Sequence, residues 1–184
     1  MPTVEHSTLT TSDLHEPKGI DSANADEVYI ADGSGSGDWQ VLNPYGGIIY
    51  NDVAGSGTTF SSPSSYTLLN VVTAATNLNG FSTNNLGRLT YTSSEMRHAH
   101  AVFDMSYKHS TGGGNDITFG VYKNGSLLSS FEAIGSADSS NFQRMVLHFD
   151  DMMSTDDYYE VYAKTASGNI IVYHLYFFMM GMPG

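Results

Sequence analysis

His98 and His100 stand two apart, and on an extended strand that spacing points both imidazoles to one side, as a transition-metal site would require. Two imidazoles do not close a coordination sphere. His148 and His174 would have to join them, or a threefold axis would have to multiply one of them. Surface histidines are the stronger reading of the pair, and no metal or cofactor is expected. Asp150-Asp151 and Asp156-Asp157 offer acid–base pairs by residue type, but successive side chains diverge and both pairs flank a loop, so they read as solvated turn acids. Asp32-Gly-Ser-Gly-Ser-Gly-Asp38 begins like a calcium loop, with oxygen donors at alternate positions and glycine sixth. Asn43 stands where the bidentate Glu belongs, which leaves a flexible hairpin turn. The rings of Tyr158-Tyr-Glu-Val-Tyr162 would stack on sugar if several were exposed together; core and interface roles are their commoner use. There is no G-x-S-x-G elbow, phosphate-binding loop or dinucleotide fingerprint. No catalytic residue is nominated.

Composition narrows the field further. Cysteine is absent, which removes disulfides, thiolate catalysis and zinc–thiolate sites. The formal charge of -12, from 19 acidic and 7 basic residues, repels phosphate backbones and anionic membranes, so neither nucleic-acid binding nor membrane insertion is expected. Gly and Ser are abundant, Tyr and Phe together number 21, and helix-forming Glu, Lys and Leu are scarce, a mix that favours an all-β protein with many turns. With 184 residues there is room for one good-sized domain and a small appendage. The start, Met1-Pro-Thr-Val-Glu-His6, has neither the basic residues nor the apolar run of a secretory signal.

The elements that must carry these residues follow from period and punctuation. Residues 1–27 are polar, aperiodic and broken by Pro17 and Gly19, and read as an extended arm. Val28–Ala31 and Trp39–Leu42 flank the glycine-rich loop as a small hairpin, and Asn43-Pro-Tyr-Gly-Gly47 marks a boundary. Strands are then predicted at Ile48–Val53, Tyr66–Val72, Gly87–Thr92, Ala99–Lys108, Asp116–Lys123, Ser126–Ala133, Phe142–Asp150, Tyr158–Lys164 and Ile170–Met180, a series that implies a sandwich or barrel. Asn124-Gly125 supplies the positive φ values of a type I′ hairpin. Within Ala99–Lys108, the residues Ala99, Ala101, Phe103, Met105 and Tyr107 form the core-facing set.

The last strand is apolar on both faces. Strict alternation puts Ile170, Val172, His174, Tyr176, Phe178 and Met180 on one side and Ile171, Tyr173, Leu175, Phe177 and Met179 on the other. Such a strand lies between its own core and something else that excludes water, and a partner subunit is the simplest candidate. Ile170, Val172, His174, Tyr176 and Phe178 are therefore the expected subunit interface.

Gly87-Arg-Leu-Thr-Tyr-Thr92, the long strand through Phe103, Ile117-Thr-Phe-Gly-Val-Tyr-Lys-Asn-Gly125 and Asp157-Tyr-Tyr-Glu-Val-Tyr162 resemble the C1q/TNF-like jelly roll, including versions in bacteriophage structural proteins. The resemblance spans about residues 46–184. It implies an all-β, antiparallel jelly-roll sandwich that forms homotrimers through the sheet holding the C-terminal strand. Leu9-Thr-Thr-Ser-Asp-Leu-His-Glu-Pro-Lys-Gly19 and Ala25-Asp-Glu-Val-Tyr-Ile-Ala-Asp-Gly-Ser-Gly-Ser-Gly-Asp-Trp39 are similar to N-terminal segments of tailed-phage head-fibre, decoration and fibre proteins. The two together imply a particle-bound virion protein; a short arm with no visible shaft, heptad or collagen-like repeat then makes a non-enzymatic decoration or head-fibre protein on the capsid exterior, rather than the tail, the expectation. Residues 1–45, with Leu14, His15, Pro17, Val28, Tyr29 and Trp39, would attach to the major capsid protein or another virion protein, and residues 46–184 would form the trimeric knob. The alternatives are a tail fibre that recognises host surface glycan and, from a different class, a glycan depolymerase.

Overall fold

In the strand Arg97–His109 every second residue, from Arg97 to His109, is buried and the residues between are not, so one face of the strand lies on a core. Ala99, Ala101, Phe103, Met105 and Tyr107 are all in that buried set, as their spacing predicts. The computed structural model describes residues 23–24, 27–31, 33–34, 36–52, 55–61 and 64–182. Its strands are β1 (Glu27–Ala31), β2 (Gly37–Val41), β3 (Tyr45–Asn51), β4 (Thr58–Ser61), β5 (Thr67–Leu68), β6 (Ala74–Asn79) and β7 (Phe81–Thr83). They continue as β8 (Arg88–Tyr91), β9 (Arg97–His109), β10 (Asn115–Lys123), β11 (Ser126–Ala137), β12 (Gln143–Met153), β13 (Tyr158–Thr165) and β14 (Asn169–Met182). Among the described residues there is no helix, and so none long and apolar enough to cross a membrane.

The chain divides into two compact units, Met1–Leu42 and Asn43–Gly184. The first contains the hairpin β1–β2, in which Tyr29 stands directly opposite Trp39 with ring centroids 5.5 Å apart. The second is built from two six-stranded antiparallel sheets. One runs β11-β10-β13-β8-β7 with β5 beside β13; the other runs β12-β9-β14-β3-β6 with β4 beside β14. From β9 onward the chain leaves the second sheet for β10 and β11, returns for β12, crosses for β13 and returns for β14. This is the connectivity of an antiparallel jelly-roll sandwich, the fold class the sequence predicts.

Inward side chains of both sheets form one core. Phe149 of β12 lies 6.2 Å from Phe177 of β14 in its own sheet and 6.2 Å from Tyr159 of β13 in the other, so a single ring joins the layers. Tyr107 and Phe119 make a second contact between sheets at 4.9 Å. Asn124 and Gly125 have φ of 52° and 77°, the left-handed pair that closes the β10–β11 hairpin as a type I′ turn.

Several expectations change. Tyr66–Val72 contracts to the two-residue β5, although Leu69 and Val71 are still buried. β4, β6 and β7 arise where no strand is expected. β6 is exposed at five of its six positions and has no apolar alternation; backbone pairing with β3 at the sheet edge is what makes it a strand. The acids Asp151 and Asp157 are not simply solvated. Lys123 of β10 sits 2.9 Å from Asp151 and 3.0 Å from Asp157, and Asp151 also accepts the Tyr159 hydroxyl at 2.7 Å.

Candidate interaction face

β14 is central in its sheet, paired with β9 on one edge and with β3 and β4 on the other. A β-bulge between Val172 and His174 shifts its register against β9, and beyond the bulge the parity of the side chains reverses. Ile170 and Val172 consequently point into the protomer's own core, fully buried, while His174, Tyr176 and Phe178 face outward and are half-buried. The expected interface set is corrected at this point: Ile170 and Val172 have no surface to offer a partner. Past the bulge the core positions belong to Leu175, Phe177 and Met179.

The register then fixes who surrounds the outward residues. Phe178 stands between Val102 of β9 and Gly47 of β3, Tyr176 between Asp104 and Ile49, and Met180 between His100 and Tyr45. Gly47 makes room: a Cβ there would sit 3.3 Å from the Phe178 ring and collide with the Thr76 hydroxyl. On the far side of β9, Val102 faces His148 and Asp104 faces Val146 of β12. Four large apolar side chains stay open on this one face, Val146 at 50 %, Met152 at 41 %, Met180 at 38 % and Tyr45 at 36 % of full exposure. The Tyr176 and Phe178 rings lie parallel, 6.3 Å apart, beside them.

Two polar clusters on the face are paired. Arg144 grips Asp104 with two donors, Nε to Oδ1 at 2.9 Å and Nη2 to Oδ2, and this guanidinium holds the Asp104 carboxyl below the usual carboxylate range. His100 Nδ1 lies 2.7 Å from Asp150 Oδ1, and His100 Nε2 lies 3.5 Å from His148 Nδ1. Near the opposite end of the strands Phe142 and Tyr173 meet edge to face at 4.3 Å, with the Lys108 ammonium 5.5 and 5.4 Å from their rings.

The expected site residues are only partly brought together. His98 and His100 do share the outward side of β9, but the partner of His100 is His148, the diagonal neighbour across the ladder. His98 instead stands opposite Met152 and Met182. His174 is paired with Ser106, six residues along β9 from His100 and so about 20 Å away. Among the described residues no group of three or more His, Asp or Glu side chains is arranged to hold a metal ion. Leu14, His15 and Pro17 lie outside the described residues, as do Asp32 and Gly35 of the glycine-rich loop. Val28 is exposed on the hairpin, whereas Tyr29 and Trp39 pack on each other.

The tyrosine cluster is already used within the fold. Tyr159 is buried in the core, Tyr162 stacks on Tyr122 at 4.0 Å, and the Arg88 guanidinium covers the Tyr158 ring at 3.9 Å while pairing at 2.8 Å with buried Glu160. A groove of about 300 Å³ that sequence spacing does not reveal lies on the β11-β10-β13 sheet, lined by Ser64, Asp116, Thr118, Lys164, Thr165 and Ala166. Thr118 and Lys164 are direct cross-strand partners there, though far apart in the chain.

No family model and no curated protein matches the chain. Among solved structures it is similar to the PRD1 vertex protein P5, with a TM-score of 0.51 and 10 % identity over 77 % of this chain and 97 % of that one. Murine APRIL at pH 5.0 is a second similar structure, with a TM-score of 0.45 and 10 % identity over 74 % of this chain and 98 % of that one. At that identity what the chain has in common with the PRD1 protein is the fold.

Proposed function

We propose that the chain is a non-enzymatic phage virion protein, a homotrimeric capsid decoration or head-fibre protein. Residues 1–45 attach it to the major capsid protein or a neighbouring virion protein, and residues 46–184 form the knob. The observation that carries this reading is the outward face of the β14 sheet, where Tyr45, Val146, Met152 and Met180 remain open around Val102, Tyr176 and Phe178. Apolar area gathered on one sheet face of a strongly acidic chain gains about 25 cal/mol per Å² when a partner covers it. The likeness in fold to a protein of the PRD1 vertex supports the virion setting, as do the sequence resemblances of both segments. Three arms on one trimer bind as a single multivalent unit, so weak individual contacts suffice for retention on the particle. Light scattering of the purified chain should give about three times 19.9 kDa. A monodisperse monomer at micromolar concentration overturns the trimer.

The groove lined by Asp116, Thr118 and Lys164 favours one other reading, a tail fibre whose knob holds host surface glycan through paired hydroxyl donors and acceptors. Copy number separates the two. Gel quantification of purified virions against the major capsid protein should return many copies per particle for a decoration protein, and only a few trimers for a tail fibre.

A further inference from the structure

His100 on β9 and His148 on β12 approach each other end to end. Their ring centroids are 5.6 Å apart and the facing nitrogens, His100 Nε2 and His148 Nδ1, only 3.5 Å, so both nitrogens lie between the rings. An ion held at about 2.0–2.1 Å by two imidazoles at a near-tetrahedral angle sets their nitrogens about 3.3 Å apart. The observed 3.5 Å, spanned here by a long N···N hydrogen bond, is close to that separation. Asp150, directly opposite His100 in the ladder, accepts from the other imidazole nitrogen at 2.7 Å. A proton kept on Nδ1 by the carboxylate leaves the lone pair on Nε2, which is how carboxylates orient metal-binding histidines.

We propose that His100 and His148 bind one divalent transition-metal ion, oriented by Asp150, with water completing the coordination sphere. Two imidazoles without thiolates suit Cu²⁺, Ni²⁺ and Zn²⁺ and discriminate against Mg²⁺ and Ca²⁺, which require oxygen ligands. Both histidines belong to one protomer, so no partner residue is needed to form the site, which lies on the same sheet face as Met180 and Val146. His98, two residues from His100, is not one of the ligands.

The test is calorimetric titration of the untagged, metal-free full chain with ZnCl₂, NiCl₂ and CuCl₂ in turn at a pH of about 7.5. Saturable binding of one ion per chain is expected, tightest for Cu²⁺. His100→Ala and His148→Ala should each weaken it at least about tenfold and Asp150→Asn about 10–100-fold, while His98→Ala leaves it unchanged. All these positions are at the surface, and circular dichroism of each variant should match the parent. No saturable binding of any of the three ions below about 1 mM, or affinity that survives in the His100→Ala/His148→Ala double variant, overturns the proposal.

Discussion

His109 is the residue whose chemistry the fold uses most completely. It is fully buried, its Nε2–H donates to the Ser167 carbonyl at 2.6 Å, and its Nδ1 accepts from the Thr111 N–H at 3.2 Å. The ring thus ties the loop after β9 to the β13–β14 turn. Replacing it with leucine keeps the volume but leaves the Thr111 N–H without the ring acceptor and the Ser167 carbonyl with only the Thr165 hydroxyl, and His109→Leu should lose about 1–2 kcal/mol in urea unfolding. Asp157 is a second such residue. Burial raises its carboxyl, but the Ser154 N–H, the Asn124 amide and the Lys123 ammonium outweigh burial and hold it below the usual carboxylate range. A group depressed in the folded state contributes stability that is present above its unfolded value of about 3.9 and is lost as pH falls through the folded one. Asp104, held down by Arg144, acts with the same sign. The urea midpoint should therefore fall as pH drops below about 4. In Asp157→Asn it should start lower at neutral pH and decline less steeply into acid.

At the scale of elements, β14 shows how one irregularity redistributes a whole strand. The bulge near Tyr173 exchanges the two faces, so that Phe177 rather than Phe178 shares the core side with Ile170 and Val172. Phe177 meets Phe103 at 6.3 Å and Phe149 at 6.2 Å inside the sandwich, while Phe178 lies outside against Val102 and Gly47. Phe177→Ala should cost about 3–5 kcal/mol of folding stability. Phe178→Ala should cost under about 1 kcal/mol in the isolated protomer and act on self-association instead. Denaturant unfolding of both variants, run with light scattering, separates the two effects. If the parity did not reverse, the costs would be interchanged.

For the whole molecule, every core residue among the described residues lies between Ile48 and Met179, inside the unit Asn43–Gly184. That unit should keep its fold without the rest. A chain lacking residues 1–42 should melt within about 3 °C of the full chain, because every described core side chain is kept. Under the proposed function the same truncation should lose binding to virions in a co-sedimentation assay. Retained binding would move attachment to the knob.

Composition and short-range pattern settled much of this protein. The excess of aromatic and β-branched over helix-forming residues made it all-β; the alternation in Arg97–His109 named its core face; and Asn124-Gly125 announced its hairpin, because period and turn chemistry are properties of neighbouring residues. That the last strand is apolar on both sides was equally legible. Which of its residues face which way was not, since a bulge depends on the ladder with β9 and leaves no mark in local spacing. The same limit explains His100 with His148, Asp151 with Lys123 and Thr118 with Lys164: each pair meets through a register between strands distant in the chain. Register is set by the summed packing of two sheets around one core, so only the tertiary structure could decide it.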